Sequence, residues 1–304
     1  MEFFKPDTNI DFMAQRKVAA IFSIVICLAS FIILGINGLN FGLDFTGGTQ
    51  VEVAYKDAVD ISKVREQMKS AGFHDAVLQP YGSSKEILIR LGEQKLSQKE
   101  LQAKLSAALV GGEIRQAEYI GPQVGKALVT NGVLAIIVSL LFTMIYVAIR
   151  FESRFAVSAA VALIHDPILI LGVFALLGIE FNLITLAAVL TIIGYSINDT
   201  IVVYDRVREN FRKMRKGSVV EIVNKSINQT LSRTIMTSGL TLMVVVVLFI
   251  FGGEVLRGFS LALIIGIIIG TYSSIYVAGS LAIALGLERR HLLPPERTEL
   301  TDRP

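Results

Sequence analysis

The chain has 304 residues, of which 53% are hydrophobic and 18% are charged, and its mean hydropathy is +0.60. Soluble domains average about 25% charged residues, so this composition excludes a disordered, coiled-coil or collagen-like chain. It indicates a membrane protein that carries a polar module. Cys27 is the single cysteine and lies in an apolar run. A chain with one cysteine cannot form an intrachain disulfide.

Six apolar stretches are long enough to cross a bilayer as helices, which takes about 20 residues. Residues 1–17 precede the first stretch, residues 37–128 form a polar insertion, and residues 288–304 form a tail. Residues 129–287 are predicted to form a bundle of five helices with a loop at 205–232. The six stretches are residues 18–36, 129–149, 155–177, 181–204, 235–251 and 259–285. The first is longer than the apolar region of a signal peptide and no cleavage pattern follows it, so we expect an uncleaved span.

Basic residues fall mainly on one set of the connecting segments. That set holds Arg16 and Lys17, Arg150 and Arg154, and the cluster at 206–216, whereas the short loops of the other set hold a single base. The positive-inside rule therefore places both termini and the loop at 205–232 in the cytoplasm. The insertion at 37–128 is then expected outside.

The insertion alternates between strand and helix patterns. Val51, Val53 and Tyr55 alternate as a strand with one buried face, and helical and strand patterns follow in turn up to Ile120. A capping box, Ser97-x-x-Glu100, opens its second helix. The order βαββαβ is ferredoxin-like. The predicted fold class is thus a polytopic α-helical membrane protein with six transmembrane helices and one α+β ferredoxin-like extracytoplasmic domain.

The loop at 205–232 is predicted to contain a short helix of its own. Ser218-x-x-Glu221 caps that helix, and an apolar face follows at Val219, Ile222 and Ile227. Such a face lies on the membrane interface or against the spans. A partner-binding role is the alternative.

Asp199 is the first candidate for a functional residue, because it lies inside the fourth apolar stretch. A charge within the bilayer costs about 3 kcal/mol even on insertion scales, so it must face other helices or water. Tyr195 and Ser196 share its helical face, and Asn198 is adjacent. Arg233 opens the fifth stretch at a compatible depth, which predicts an Asp199–Arg233 pair. The alternatives are that Asp199 only joins helices as a structural carboxylate and that Arg233 anchors at the membrane interface.

His165 and Asp166 lie near the middle of the third stretch, before Pro167. Adjacent ionisable groups at this depth are rare in a lipid-facing helix, so we expect proton handling or water access there. The alternative is that both side chains satisfy a helix whose hydrogen bonding Pro167 interrupts.

Two small-residue patterns complete the set of candidates. Asp44, Gly47 and Gly48 lie in Phe41-Gly-Leu-Asp-Phe-Thr-Gly-Gly48, just outside the first span, and predict a tight junction or hinge to the outer domain. In the sixth span, Gly266, Gly270 and Ser274 lie on a face on which helices can approach closely, and we expect a partner to pack there.

Several of these strings resemble the SecF family, accessory subunits of the bacterial Sec protein-export machinery. The strings are the junction motif, Ile120-Gly-Pro-Gln-Val-Gly125, His165-Asp166, Tyr195-Ser-Ile-Asn-Asp-Thr200 with the residues that follow to Asn210, Arg233-Thr-Ile-Met-Thr-Ser238 and Gly270-Thr-Tyr-Ser-Ser-Ile-Tyr276. The resemblance implies membership of the RND transporter superfamily and pairing with SecD into a twelve-span unit. It implies that proton flow promotes late steps of preprotein export across the inner membrane, after the ATP-driven SecA–SecYEG step.

The resemblance also implies the site and the partners. Asp199 and Arg233 correspond to the family's proton-pathway pair, joined here by Asn198, His165 and Asp166. The partners are SecD, the SecYEG translocon, an unfolded preprotein, membrane lipids and protons, without nucleic acid; no enzyme activity, cofactor or metal is expected. Two alternatives remain open, a half-transporter that exports a small molecule or lipid and a passive assembly factor of the translocon.

Overall fold

The computed structural model describes residues 9–92, 94, 96–214 and 216–288, except for the side chain of Pro122. The helices in chain order are α1 (Arg16–Asn37), α2 (Leu43–Thr46), α3 (Ile61–Ser70), α4 (Gln98–Ala108), α5 (Pro122–Arg150), α6 (Ser153–Leu177), α7 (Leu183–Lys213), α8 (Val219–Phe251), α9 (Gly253–Tyr272) and α10 (Gly279–Ala284). A 3-10 turn at Met13–Gln15 precedes α1, and a π-helical turn at Ser273–Ala278 joins α9 to α10. The strands are β1 (Asn40–Phe41), β2 (Gly48–Tyr55), β3 (Val77–Tyr81), β4 (Ser83–Leu91), β5 (Gly112–Ile120) and β6 (Glu180–Phe181).

The described residues contain six helices that are long and apolar enough to cross a membrane. They correspond to the six predicted stretches and run Met13–Asn37, Gln123–Arg150, Ser153–Leu177, Leu183–Lys213, Val219–Phe251 and Gly253–Ala284. The protein is therefore a mostly helical, multi-pass membrane protein.

The insertion folds into an α+β domain, residues 48–120, between α1 and α5. Its element order is β2-α3-β3-β4-α4-β5, and its sheet is antiparallel with the strand order β3-β4-β2-β5. Val51 and Val53 pair with Ile89 and Ile87 on one face, where α3 and α4 cover them. The Ser97–Glu100 capping box at the start of α4 is present.

Helices α6 and α7 form the interior of the bundle. The most apolar window of each is 56% buried, whereas the windows of α1, α5 and α8 are buried by 17% or less. These three helices expose long apolar faces, which is expected where lipid or a partner subunit surrounds a protein. Asp166 on α6 and Asp199 on α7 therefore lie inside the protein.

The prediction of a separate short helix in the loop at 205–232 is wrong. Helix α7 continues to Lys213 and α8 begins at Val219, so one helix of 33 residues includes both the predicted short helix and the fifth span. The Ser218–Glu221 capping box is present, and no proline follows it before Phe251. The apolar face at Ile222 and Ile227 is buried in the core of the bundle.

Candidate functional site

Two buried carboxylates lie between the helices of the bundle. Asp166 on α6 is 1% exposed and Asp199 on α7 is 4% exposed. Buried polar groups require hydrogen-bond partners in an apolar surrounding. The partners of these two side chains define the site.

Asp166 accepts three hydrogen bonds. Its Oδ2 accepts from Ser196 Oγ at 2.5 Å and from Ser273 Oγ at 2.9 Å, and its Oδ1 lies 2.9 Å from His165 Nδ1. Three donors from three separate segments therefore converge on one carboxylate. We name Asp166, His165, Ser196 and Ser273 the Asp166 cluster.

His165 connects this cluster to the outside of the bundle. The side chain is 5% exposed, and its Nε2 has no hydrogen-bond partner among the described residues. His165 also lines a groove of about 510 Å³ between α1, α6 and α10, whose other walls are almost entirely apolar. His165 and Asp166 lie within α6, one of the six helices long and apolar enough to cross a membrane, and the partners of Asp166 come from α7 and the π-helical turn as well.

The π-helical turn supplies two of the polar contacts. Ser273 Oγ donates to Asp166, while Ser274 Oγ lies 2.9 Å from Thr200 Oγ1 of α7. Both serines are fully buried although they are consecutive. Single π-helical turns inside α-helices occur frequently at functional sites. The predicted packing residue Ser274 thus makes a polar contact as well.

Close helix packing surrounds the Asp166 cluster. A Cβ atom on Gly270 would lie 3.1 Å from the Ser196 side chain, and one on Gly266 would overlap Ile192. The small-residue face of α9 therefore packs against α7 of this chain. The prediction that a partner subunit packs on this face is wrong, because α7, the fourth span, already occupies it.

Asp199 belongs to a second polar group that joins α7, α8 and α9. Its Oδ2 accepts from Ser238 Oγ at 3.3 Å. Ser238 Oγ also accepts hydrogen bonds from Thr271 Oγ1 at 3.0 Å and from Tyr195 OH at 3.4 Å. We name Asp199, Ser238, Thr271 and Tyr195 the Asp199 cluster. The adjacent Asn198 is exposed on the surface of α7.

The predicted Asp199–Arg233 ion pair is not formed. Among the described residues, no basic nitrogen lies within 4.0 Å of the Asp199 carboxylate, and Arg233 is exposed. Depth in the membrane does not fix direction around a helix. Arg233 precedes Ser238 by five residues, about 140° around the helix axis at 3.6 residues per turn, so the two side chains leave α8 in different directions, and it is Ser238 that contacts Asp199.

The residues that sequence reasoning missed are hydroxyl side chains. Ser238, Thr271 and Ser273 lie inside strings that carried the family resemblance, but no role was assigned to them. A hydroxyl in an apolar helix usually bonds to the carbonyl one turn earlier, as Thr271 also does. The sequence therefore gives no signal that separates a bridging hydroxyl from a solitary one.

The junction motif, residues 41–48, connects the α+β domain to the N-terminal end of α7. Asp44 Oδ2 accepts from the backbone N–H of Leu183 at 2.9 Å, at the first residue of α7. Strand β1 pairs in parallel with β6, which directly precedes that helix. Asp44 therefore holds the start of the helix that carries Asp199.

The two glycines of the motif are held in close contact. Gly47 and Gly48 have φ of 67° and 122°, in the region that favours glycine. A Cβ on Gly48 would overlap the Leu91 carbonyl oxygen, and one on Gly125 of α5 would lie 3.1 Å from the Gly47 nitrogen. The junction is therefore tightly packed in this conformation. A hinge role for Gly47 and Gly48 stays a prediction.

An acidic cleft of about 210 Å³ lies between the α+β domain and the ends of α7 and α9 that face it. Its carboxylates are Asp44, Glu52, Glu118, Glu180 and Glu254. An ion pair between Arg90 of β4 and Glu180 closes one side, and burial lowers the pKa of the Arg90 guanidinium. Burial, followed by the nearby Glu52 and other carboxylates, raises the pKa of Tyr81 in the same cleft. The described residues contain no group of three or more His, Cys, Asp or Glu side chains placed to hold a metal ion.

Known proteins match this chain along nearly its whole length. Residues 100–288 match the family described as protein export membrane protein SecD/SecF, C-terminal, and residues 32–59 match the SecD/SecF GG motif. The protein translocase subunit SecF of Vibrio alginolyticus is 48% identical over 301 residues, with 97% of this chain and 96% of that protein covered. The SecF subunit of Escherichia coli O157:H7 is 44% identical over 290 residues, with 93% and 90% covered.

Two solved structures are similar as well. The crystal structure of SecDF from Thermus thermophilus, a translocon-associated membrane protein, has a TM-score of 0.85 and 38% identity over 93% of this chain. A SecDF structure in the super-membrane-facing form has a TM-score of 0.69 and 39% identity over 92% of this chain. In both cases the chain spans 39% of the matched SecDF chain. The relatives are subunits with a transport function. The chain therefore belongs to the SecD/SecF family of protein-export membrane proteins and, within it, to the SecF subunits of the protein translocase.

Proposed function

We propose that this chain and a SecD subunit use the proton-motive force to promote the late steps of preprotein export through SecYEG. The observation that carries the proposal is the pair of buried carboxylates, Asp166 and Asp199, held by hydroxyl groups between apolar helices. A charge at this depth costs about 3 kcal/mol, and buried polar contacts stabilise little more than well-packed apolar ones do. Proton transfer is a use that such groups serve and apolar side chains cannot.

The proposed location is the bacterial inner membrane, with both termini in the cytoplasm. The support is the distribution of basic residues, which places Arg16, Arg150 and the end of α7 on one side. The α+β domain, which we propose to be ferredoxin-like, then lies outside, where an unfolded preprotein emerges. The membrane lipids around the exposed faces of α1, α5 and α8 complete the set of proposed partners.

Protonation of Asp199 is the proposed coupling event. It removes the charge that attracts Arg233 and changes the hydrogen bond with Ser238, so that α7 and α8 can repack. Moving one charge through 100 mV is worth about 2.3 kcal/mol, which biases a two-state equilibrium about 50-fold. His165 and Asp166 provide a second proton-exchanging group, linked to α7 through Ser196 one turn before Asp199, and the exposed Asn198 borders the path.

The proposed output is a movement of the α+β domain. Asp44 joins the start of α7 to the junction motif, so a shift of α7 reaches the domain directly. Changes of φ and ψ at Gly47 and Gly48 would swing it. The domain would then pull on, or prevent the return of, an unfolded preprotein segment.

The test is export into inverted inner-membrane vesicles that contain SecYEG, SecD and this chain, with SecA and saturating ATP. Asp199→Asn mimics the protonated carboxylate, and we expect it to abolish the gain in export rate that the proton gradient gives. Arg233→Met should lower that gain as well. The control is Asp57→Asn, because Asp57 is an exposed carboxylate of the α+β domain and lies on neither of the helices that carry Asp166 and Asp199.

Complex formation with SecD should be unchanged in all three variants. If Asp199→Asn retains the full response to the gradient, Asp199 has no coupling role and is a structural carboxylate. If the wild-type chain shows no response while its removal lowers export, the chain is a passive assembly factor.

A further inference from the structure

A basic cleft of about 310 Å³ lies where α5 ends and α7 leaves the predicted membrane region. Its walls are Arg150, Asp205, Arg208, Glu209, Arg212 and Lys213. Four cations and two anions give the cleft a net charge of +2 when all six side chains are ionised. The proton pathway described above uses none of these residues.

Ion pairs hold the cationic groups in place without neutralising the cleft. Asp205 lies 3.1 Å from Arg150 and 3.8 Å from Arg208, and Glu209 lies 2.5 Å from Lys213. Arg212 makes no ion pair within 4.0 Å with any residue that the structure describes. Exposed ion pairs of this kind contribute little to stability. The two carboxylates position the bases and, because the four cations outnumber them, leave a positive surface for an anion.

An aromatic ring fixes the two arginines at the mouth of the cleft. The guanidinium carbons of Arg150 and Arg208 lie 5.3 and 5.7 Å from the centre of the Phe151 ring. Phe151 is buried in the bundle core. Stacked guanidinium groups lose less freedom when they bind a planar or tetrahedral oxyanion, and they offer paired donors to its oxygens.

An exposed apolar track leads along α5 to this cleft. Phe142 and Tyr146 precede Arg150 by two turns and one turn, so the three side chains share one face of the helix. Phe142 is 68% exposed and Tyr146 is 53% exposed. A phosphate ion from solution carries no apolar group that could contact such a track, whereas a phospholipid has acyl chains directly beneath its phosphodiester.

We propose that the cleft binds the phosphodiester headgroup of an anionic phospholipid, with one acyl chain along Phe142 and Tyr146. The volume is at the small end of the range for ligand pockets and suits a headgroup rather than a whole lipid. The proposal rests on the proposed orientation for one point, that this lipid lies in the cytoplasmic leaflet.

The test is native mass spectrometry of the purified complex of this chain with SecD, titrated with dioleoyl phosphatidylglycerol or dioleoyl phosphatidylcholine. The two lipids share their acyl chains and differ in net charge. We expect tighter binding of phosphatidylglycerol to the wild type and a loss of about thirtyfold in the double variant Arg208→Gln/Arg212→Gln. That loss corresponds to about 2 kcal/mol, from about 1 kcal/mol for each basic group near an anionic surface.

The matched control is Arg257→Gln, because Arg257 is an exposed arginine at the opposite ends of the helices. The double variant Arg208→Lys/Arg212→Lys keeps the charge and should recover most of the binding. Equal binding of the two lipids, or an equal loss in the Arg257→Gln control, would overturn the proposal. Displacement of the lipid by millimolar inorganic phosphate would assign the cleft to a soluble anion instead. Binding is measured without export, so either result leaves the proton-coupling proposal to its own test.

Discussion

Replacing Asp44 by alanine should loosen the N-terminal end of α7, the helix that carries Asp199. Asp44 Oδ2 accepts the Leu183 N–H at 2.9 Å, and a hydrogen bond to a charged group contributes about 1.5–3 kcal/mol. Asn182 caps the N–H of Thr185 independently, so the helix retains one cap. Because Asp44 is half-buried, we expect a loss near the low end, about 1.5–2 kcal/mol.

The assay is thermal unfolding of the purified complex with SecD, followed by size-exclusion chromatography after heating. A shift of roughly 2–4 °C for each kcal/mol predicts that Asp44→Ala lowers the midpoint by about 3–8 °C. Asp44→Asn keeps one carbonyl acceptor and should lose about half as much. Asp57→Ala, an exposed carboxylate of the same domain, is the control and should not shift the midpoint.

The same variant has a predicted effect on export. Leu183 lies sixteen residues from Asp199 along one continuous helix, about 24 Å at 1.5 Å per residue. If α7 transmits movement as a rigid rod, Asp44→Ala should weaken the response of export to the proton gradient and leave ATP-driven initiation intact. A midpoint equal to that of Asp57→Ala, together with a full response to the gradient, would refute the reasoning.

Three further predictions follow from orientation, packing and capping. With Arg212→Cys in a Cys27→Ser background, a membrane-impermeant maleimide added outside intact cells should give no labelling; labelling there would reverse the proposed topology. Gly270→Leu should prevent stable folding of the bundle, because even a Cβ atom at this position is crowded by α7, and a normal yield of monodisperse protein would contradict this. Hydrogen bonds from Ser97 lower the pKa of Glu100, so the stability from this cap is present above the ordinary carboxylate pKa of 4.5 and is lost as pH falls through the lowered value. Unfolding midpoints of the wild type and Ser97→Ala should therefore converge toward acid, and a constant difference would contradict the capping contribution.

Much of the architecture was predictable because it depends on local patterns. Each of the six spans is a run of apolar residues of membrane-crossing length, and the alternation at Val51–Val53 and Ile87–Ile89 marks strands whatever surrounds them. The capping boxes at Ser97 and Ser218 involve residues three apart, so the sequence contains the whole interaction. The merging of the short helix predicted at 205–232 with the fifth span was missed because an apolar face does not indicate where a helix ends.

By itself, the sequence determined which ionisable residues lie at membrane depth, since the cost of burying a charge makes Asp166 and Asp199 stand out in apolar runs. It could not determine their partners, because these come from helices that are distant along the chain. Ser273 reaches Asp166 across 107 positions and Ser238 reaches Asp199 across 39. The rotation of α8 about its own axis brings Ser238, and not Arg233, into contact with Asp199. Rotation and contact between helices are set by the packing of all their side chains together, and that was decided only by the tertiary structure.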